Sequence, residues 1–199
     1  YPLQLCPPED ERLFGTLEFL MEHCRVKGGF FQDMIHAGIN PYLTLHMAQV
    51  LLRAGDPRYL ELMDTVAALA SPTGQWPEAI HPRTGGGCMG DGQHVWAAAE
   101  WVLMVRNCFV REEGDRLIVG AGIAPRWLVA GSPLTFGPAP TTFGPLSLTI
   151  EAETQHRVQV SWQGDWHTPV PVIEVRLPGF APVMAQSGES SINIERGQN

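Results

Sequence analysis

The chain has 199 residues, 44% of them apolar and 17% charged, with a formal net charge of −8. This composition excludes a disordered chain. An acidic balance without a Lys/Arg cluster excludes nucleic acid as a partner, because phosphate binding needs concentrated cations.

Helical spacing of apolar residues runs through residues 1–112. In "DERLFGTLEFLMEHCRV", Leu13, Leu17, Leu20 and Cys24 recur every three to four positions. Acids open the segment and Arg25 and Lys27 close it, an order that suits the helix dipole, and Gly28-Gly29 ends it. Asn40 and Pro41 supply an N-cap and a first turn for "YLTLHMAQVLLRA", which carries Leu43, Met47, Val50 and Leu51 on one stripe and stops at Gly55. His46 in this helix reads as a satisfied, partly buried histidine. Asp56-Pro57 starts "RYLELMDTVAALA" by the same logic, and the short link makes these two helices antiparallel neighbours. The fourth helix covers "QHVWAAAEWVLMVRNCFV", with Asp91 as its cap and Glu100 on a solvated face. Cys6, Cys24, Cys88 and Cys108 form no C-x-x-C pair and predict no disulfide framework.

Past Gly114 the period becomes two. Leu146, Leu148 and Ile150 alternate, as do Val158, Val160 and Trp162; Ile173, Val175 and Leu177; and Ile192 and Ile194. Strict alternation predicts antiparallel strands with one dry face, and residues 113–199 therefore read as a small antiparallel β-sandwich. No apolar run is long enough for a membrane span, so no membrane partner is expected. No signal peptide is visible, which favours a cytoplasmic location.

Between the third and fourth helices lies "GQWPEAIHPRTGGGCMGDGQH", a long loop of the kind that often carries function. Pro77 and Pro82 stiffen it. Glu78 beside Trp76 is a carboxylate that can be tuned or aimed at a water. Trp76, His81 and His94 would suit a sugar, whose faces are apolar and whose edges are hydroxyls. The competing reading makes Glu78 an exposed loop carboxylate and Trp76 a hydrophobic plug. His81, Cys88 and His94 have zinc-ligand chemistry but match no metal-binding spacing, and Gly85-Gly86-Gly87 lacks the Lys-Ser/Thr of a phosphate loop. No metal and no cofactor is expected.

The stretch "PEAIHPRTGGGCMGDGQHVWAAAEWVL" resembles the last loop and helix of the six-hairpin glycosidases, the (α/α)6 toroid enzymes. Pro77-Glu78, Thr84-Gly85 and Gly92 to Ala99 match the glucoamylase-like pattern, which departs at Ala79, where that pattern has Gln. The region after "REEGDRLIVGAGIAPRWL" is similar to the β-sandwich that follows the toroid in rhamnosidase-like members. The resemblance implies an α+β chain whose helical hairpins are part of an α/α toroid. It implies the C-terminal portion of a carbohydrate-active enzyme, with Glu78 as general base and the general acid supplied by earlier helices. It also implies that Phe30, Phe31, Gln32, Asp33 and His36, in the loop between the first two helices, line the sugar cleft; the alternative makes Phe30 and Phe31 core and Asp33 a helix cap. A non-catalytic carbohydrate-binding or scaffold protein and a polysaccharide lyase are the competing functions. The sparse cations count against the lyase. The fourth helix is apolar on nearly every side, which predicts self-association through the helical half, or packing against the rest of a toroid.

Overall fold

The structure, a computed structural model, describes residues 5–7, 9–34, 37–167 and 169–196. The chain divides into two compact units, residues 1–104 and 105–199. Among the described residues, no helix is long and apolar enough to cross a membrane.

The first unit opens with α1 (Glu11–His23), capped by Asp10, whose side chain accepts from the Arg12 N–H. Strands β1 (Arg25–Val26), β2 (Gly29–Gln32) and β3 (Gly38–Ile39) precede α2 (Pro41–Ala54) and α3 (Tyr59–Ala68). Strands β4 (Ala79–Ile80) and β5 (Gly87–Met89) lead into α4 (Val95–Phe109), which runs on into the second unit. Asn40 caps α2 by accepting from the Leu43 N–H, and Gly55, at φ 73°, ends it in the left-handed conformation that glycine adopts without strain. Leu45, Ala48, Leu51 and Leu52 of α2 and Leu62 and Val66 of α3 are buried and form the core of this unit.

An all-helical first half is corrected by the sheet. The five strands form one antiparallel sheet in the order β1-β2-β3-β4-β5. Four of its strands come from the two segments that read as irregular loops, β1 replaces the end of the segment that read as the first helix, and Ile39 paired with Ile80 joins the two loops. The backbone groups of a buried loop need partners, and here each loop supplies them to the other. Four helices interrupted by such a sheet are not a run of toroid hairpins.

The second unit begins with the hairpin β6 (Val110–Glu113) and β7 (Arg116–Val119), turning at Gly114-Asp115. It continues through β8 (Leu134–Ala139), β9 (Leu146–Thr154), β10 (Arg157–Gly164), β11 (Val172–Val175), β12 (Val183–Met184) and β13 (Ser191–Glu195). One four-stranded sheet has the order β13-β10-β9-β8 and is antiparallel throughout. The other has the order β12-β11-β7-β6, and β11 runs parallel to β7. That parallel pair overturns the purely antiparallel sandwich. Alternation shows that a strand has one dry face; it carries no information on the direction of the neighbour.

Leu146, Leu148 and Ile150 of β9, Val158 and Val160 of β10, and Ile192 and Ile194 of β13 share one core with Leu117, Val119, Ile173 and Val175 of the mixed sheet. Cys108 is also fully buried, and desolvation raises its thiol pKa to about 12. Around this core the charges are paired. Arg106 grips Glu112 with two hydrogen bonds of 2.6 and 2.7 Å. Glu174 lies between Arg116 at 3.3 Å and Arg176 at 2.5 Å. Burial pushes both glutamates up, but the arginines outweigh it and hold each below the ordinary carboxylate value.

Candidate functional site

The residues singled out in the sequence separate into three groups. Trp76 is in the core, 5% exposed, and its indole N–H donates to the Val66 carbonyl at 2.8 Å. That carbonyl belongs to the last turn of α3, where helix acceptors need outside donors. His81 organises its own turn. Its Nδ1 accepts from the Arg83 and Thr84 N–H groups at 3.2 and 3.3 Å, and its backbone N–H donates to Gly86. Gln32 accepts from the Asn40 amide at 3.2 Å, which fixes the residue that caps α2. Phe31 is half-buried on β2, Asp33 is exposed and caps no helix, and His36 lies outside the described residues.

Glu78 is half-buried directly before β4. Its carboxylate has no hydrogen-bond or ion-pair partner among the described residues. Two residues earlier, the Trp76 carbonyl accepts from the His94 N–H at 2.8 Å. That bond ties the Glu78 segment to the start of α4.

At the start of α4 stands a cluster that the sequence reading left apart. Trp96 is 50% exposed and stacks on Tyr42, with ring centroids 4.3 Å apart. The His94 ring lies 5.2 Å from Tyr42. His46 Nε2 is 3.1 Å from Glu100 Oε1, and the Trp96 indole N–H donates to the same oxygen at 3.3 Å. The solvated-face reading of Glu100 is corrected here, because the residue is only 8% exposed. Its other oxygen, Oε2, and His94 Nδ1 are both buried without a hydrogen-bond partner among the described residues. Buried polar atoms of this kind are uncommon and call for a reason in water, ligand or function.

A sequence signal for the cluster existed. Tyr42 and His46 are four apart on α2, and Trp96 and Glu100 are four apart on α4, so each pair shares a helix face. What the sequence lacks is the fact that these two faces meet. On another part of α4, Val95, Ala98, Ala99 and Val102 are exposed. Cys88, considered above for zinc, donates instead to the Ala37 carbonyl at 3.3 Å. Among the described residues, no three His, Cys, Asp or Glu side chains converge as a metal-ligand set.

No protein-family model matches the chain, and no curated protein or solved structure matches it either.

Proposed function

We propose that this chain is part of a carbohydrate-active enzyme that hydrolyses glycosidic bonds, with Glu78 as the general base that activates water. Glycoside hydrolysis of this kind needs a second carboxyl group as general acid. The observation that carries this reading is the exposed Trp96 indole, stacked on Tyr42 and hydrogen-bonded to Glu100. An amphipathic aromatic surface beside buried acceptors suits a ligand with apolar faces and hydroxyl edges. The His94–Trp76 backbone bond supports the link from that surface to Glu78. A second reading keeps binding without chemistry, and it is favoured by the lack of any side chain bonded to Glu78 that would tune it.

Oligosaccharide binding and turnover of aryl glycosides by the intact protein test both readings. Glu78→Gln is expected to cut turnover by about two to four orders of magnitude, the usual contribution of a general acid–base group, while leaving binding in place. Retention of most activity would remove Glu78 from the mechanism. Unchanged saccharide binding by Trp96→Ala would remove the aromatic surface.

A second copy of the chain is the other proposed partner, meeting the exposed α4 face at Val95, Ala99 and Val102. Sedimentation at micromolar concentration is expected to show a dimer or larger species. A clean monomer would exclude this.

A further inference from the structure

The second unit holds a cleft of about 590 Å³ between the end of β10 and the β11–β12 edge, lined among others by Trp162, Trp166, Val172, Ser187 and Glu189. Its size is within the range of small-molecule sites. Both walls are held in place before any ligand arrives. On one side, the Trp166 ring packs against Gly164, so closely that a Cβ at that position would overlap its six-membered ring. The backbone on either side of Trp166 is clamped, because the Asp165 N–H donates to Pro145 at 2.9 Å and the His167 N–H donates to Phe143 at 2.8 Å. On the other side, the turn 186–189 is closed by two bonds. Gln186 N–H donates to Glu189 Oε2 at 2.6 Å, and Glu189 N–H donates to the Gln186 carbonyl at 3.1 Å. The next residue, Ser190, accepts from the Trp162 N–H at 2.8 Å, which fastens this turn to β10.

The lining selects a ligand class. It contains no Lys, Arg or His among the described residues, and Glu189 adds a negative charge, so phosphates and carboxylates are disfavoured. A purely apolar ligand would strip water from the Ser187 hydroxyl and the Glu189 carboxylate without replacing their hydrogen bonds. A neutral ring with one apolar face and hydroxyl edges satisfies both walls, with the face on the indole and the hydroxyls on the turn. We propose that this cleft is a second binding site, for a neutral saccharide. It requires neither Glu78 nor Trp96, and it rests on the preceding reading only for the choice of ligand.

The test uses the full chain and three neutral probes, maltohexaose, cellohexaose and xylohexaose, with calorimetry and saturation-transfer NMR. Wild-type protein and Trp96→Ala should both bind at least one hexaose at this site. Trp166→Ala, made in the Trp96→Ala background, should weaken that binding at least tenfold. Gly164→Ala should act similarly by displacing the indole without removing it, and Trp166→Phe should stay within about threefold of the parent, because a flat aromatic face is kept. Ser187→Arg blocks the cleft from an exposed turn, so it tests the site even where a Trp166 variant folds poorly, and it too should lose binding. Absence of binding in Trp96→Ala protein would overturn the second site while leaving the first intact. Full binding by Ser187→Arg would also overturn it. If Trp166→Ala in otherwise unaltered protein removed all saccharide binding, the second site would stand and the Trp96 surface would fall.

Discussion

In the first unit the longest strand has four residues, and in the second it has nine. The short strands of the first unit bury Ile39 and Ile80, and polar groups also fasten the sheet to α2. Thr44, fully buried on α2, accepts from the Phe30 N–H of β2 at 2.9 Å and donates to the Asn40 carbonyl at 2.7 Å. Asn40 in turn caps the helix and binds Gln32. The second unit relies on an apolar core and keeps its charged pairs around it. Directional hydrogen bonds fix positions closely, whereas apolar contact is proportional to area and indifferent to direction. The unit that carries Glu78, His46 and Glu100 is the one whose sheet is positioned by directional bonds.

The largest effect that would test this contrast is in the apolar core. Ile150→Ala, at a position 1% exposed, is expected to cost about 2–5 kcal/mol from lost transfer energy and the cavity left behind. Urea unfolding measures it, and a loss below about 1 kcal/mol would mean that the two-sheet core is not what holds the second unit.

Thr44→Val keeps the shape and deletes both hydrogen bonds. It should cost about 1–3 kcal/mol, because the half-buried Phe30 N–H loses its partner. Faster amide exchange at Phe30 and Phe31 is the local signature. A neutral substitution would show that the polar fastening of the first unit is dispensable.

Acid gives the smallest effect and sharpens the comparison. Glu112 and Glu174 have folded pKa values below the ordinary 4.5, so each stabilises the fold above that value. The contribution disappears as pH falls through the lowered folded value. Glu18 in the first unit is lowered as well, by its hydrogen bond to Arg58, but its side chain is 52% exposed and salt screens it. Between pH 7 and 5 the urea midpoint should be nearly flat, and below 4.5 it should fall. Glu112→Gln should flatten that limb in both low and high salt, and Glu18→Gln should do so only in low salt. The same salt response from both variants would erase the distinction.

The same contrast decides what the sequence reveals. β9 is long enough to show its period, so Leu146, Leu148 and Ile150 identify its dry face unaided. Asp10, Asn40 and Gly55 mark helix ends through local chemistry that acts within a turn. A two-residue strand has no period, and the pairing of Ile39 with Ile80 depends on residues far apart in the chain. The β7–β11 direction is hidden for a similar reason, since Val119 and Val175 look alike in parallel or antiparallel sheets. At the site, Glu78 and His94 draw attention by type. Glu100 does not, because its burial depends on where α2 brings His46, and an acid in an amphipathic helix ordinarily faces water.

The parallel pair also sets an order of assembly. β7 ends at Val119, and its partner β11 begins at Val172, after β8, β9 and β10 have been made. Closing so long a loop costs little more entropy than closing a shorter one. Time is the larger difference. On a ribosome, the β6–β7 hairpin emerges with one edge of β7 open until residues 172–175 follow, and an open edge pairs with whatever strand it meets. Arg116 at the start of that edge puts a charge there, and the charge meets its partner Glu174 only when the correct strand arrives.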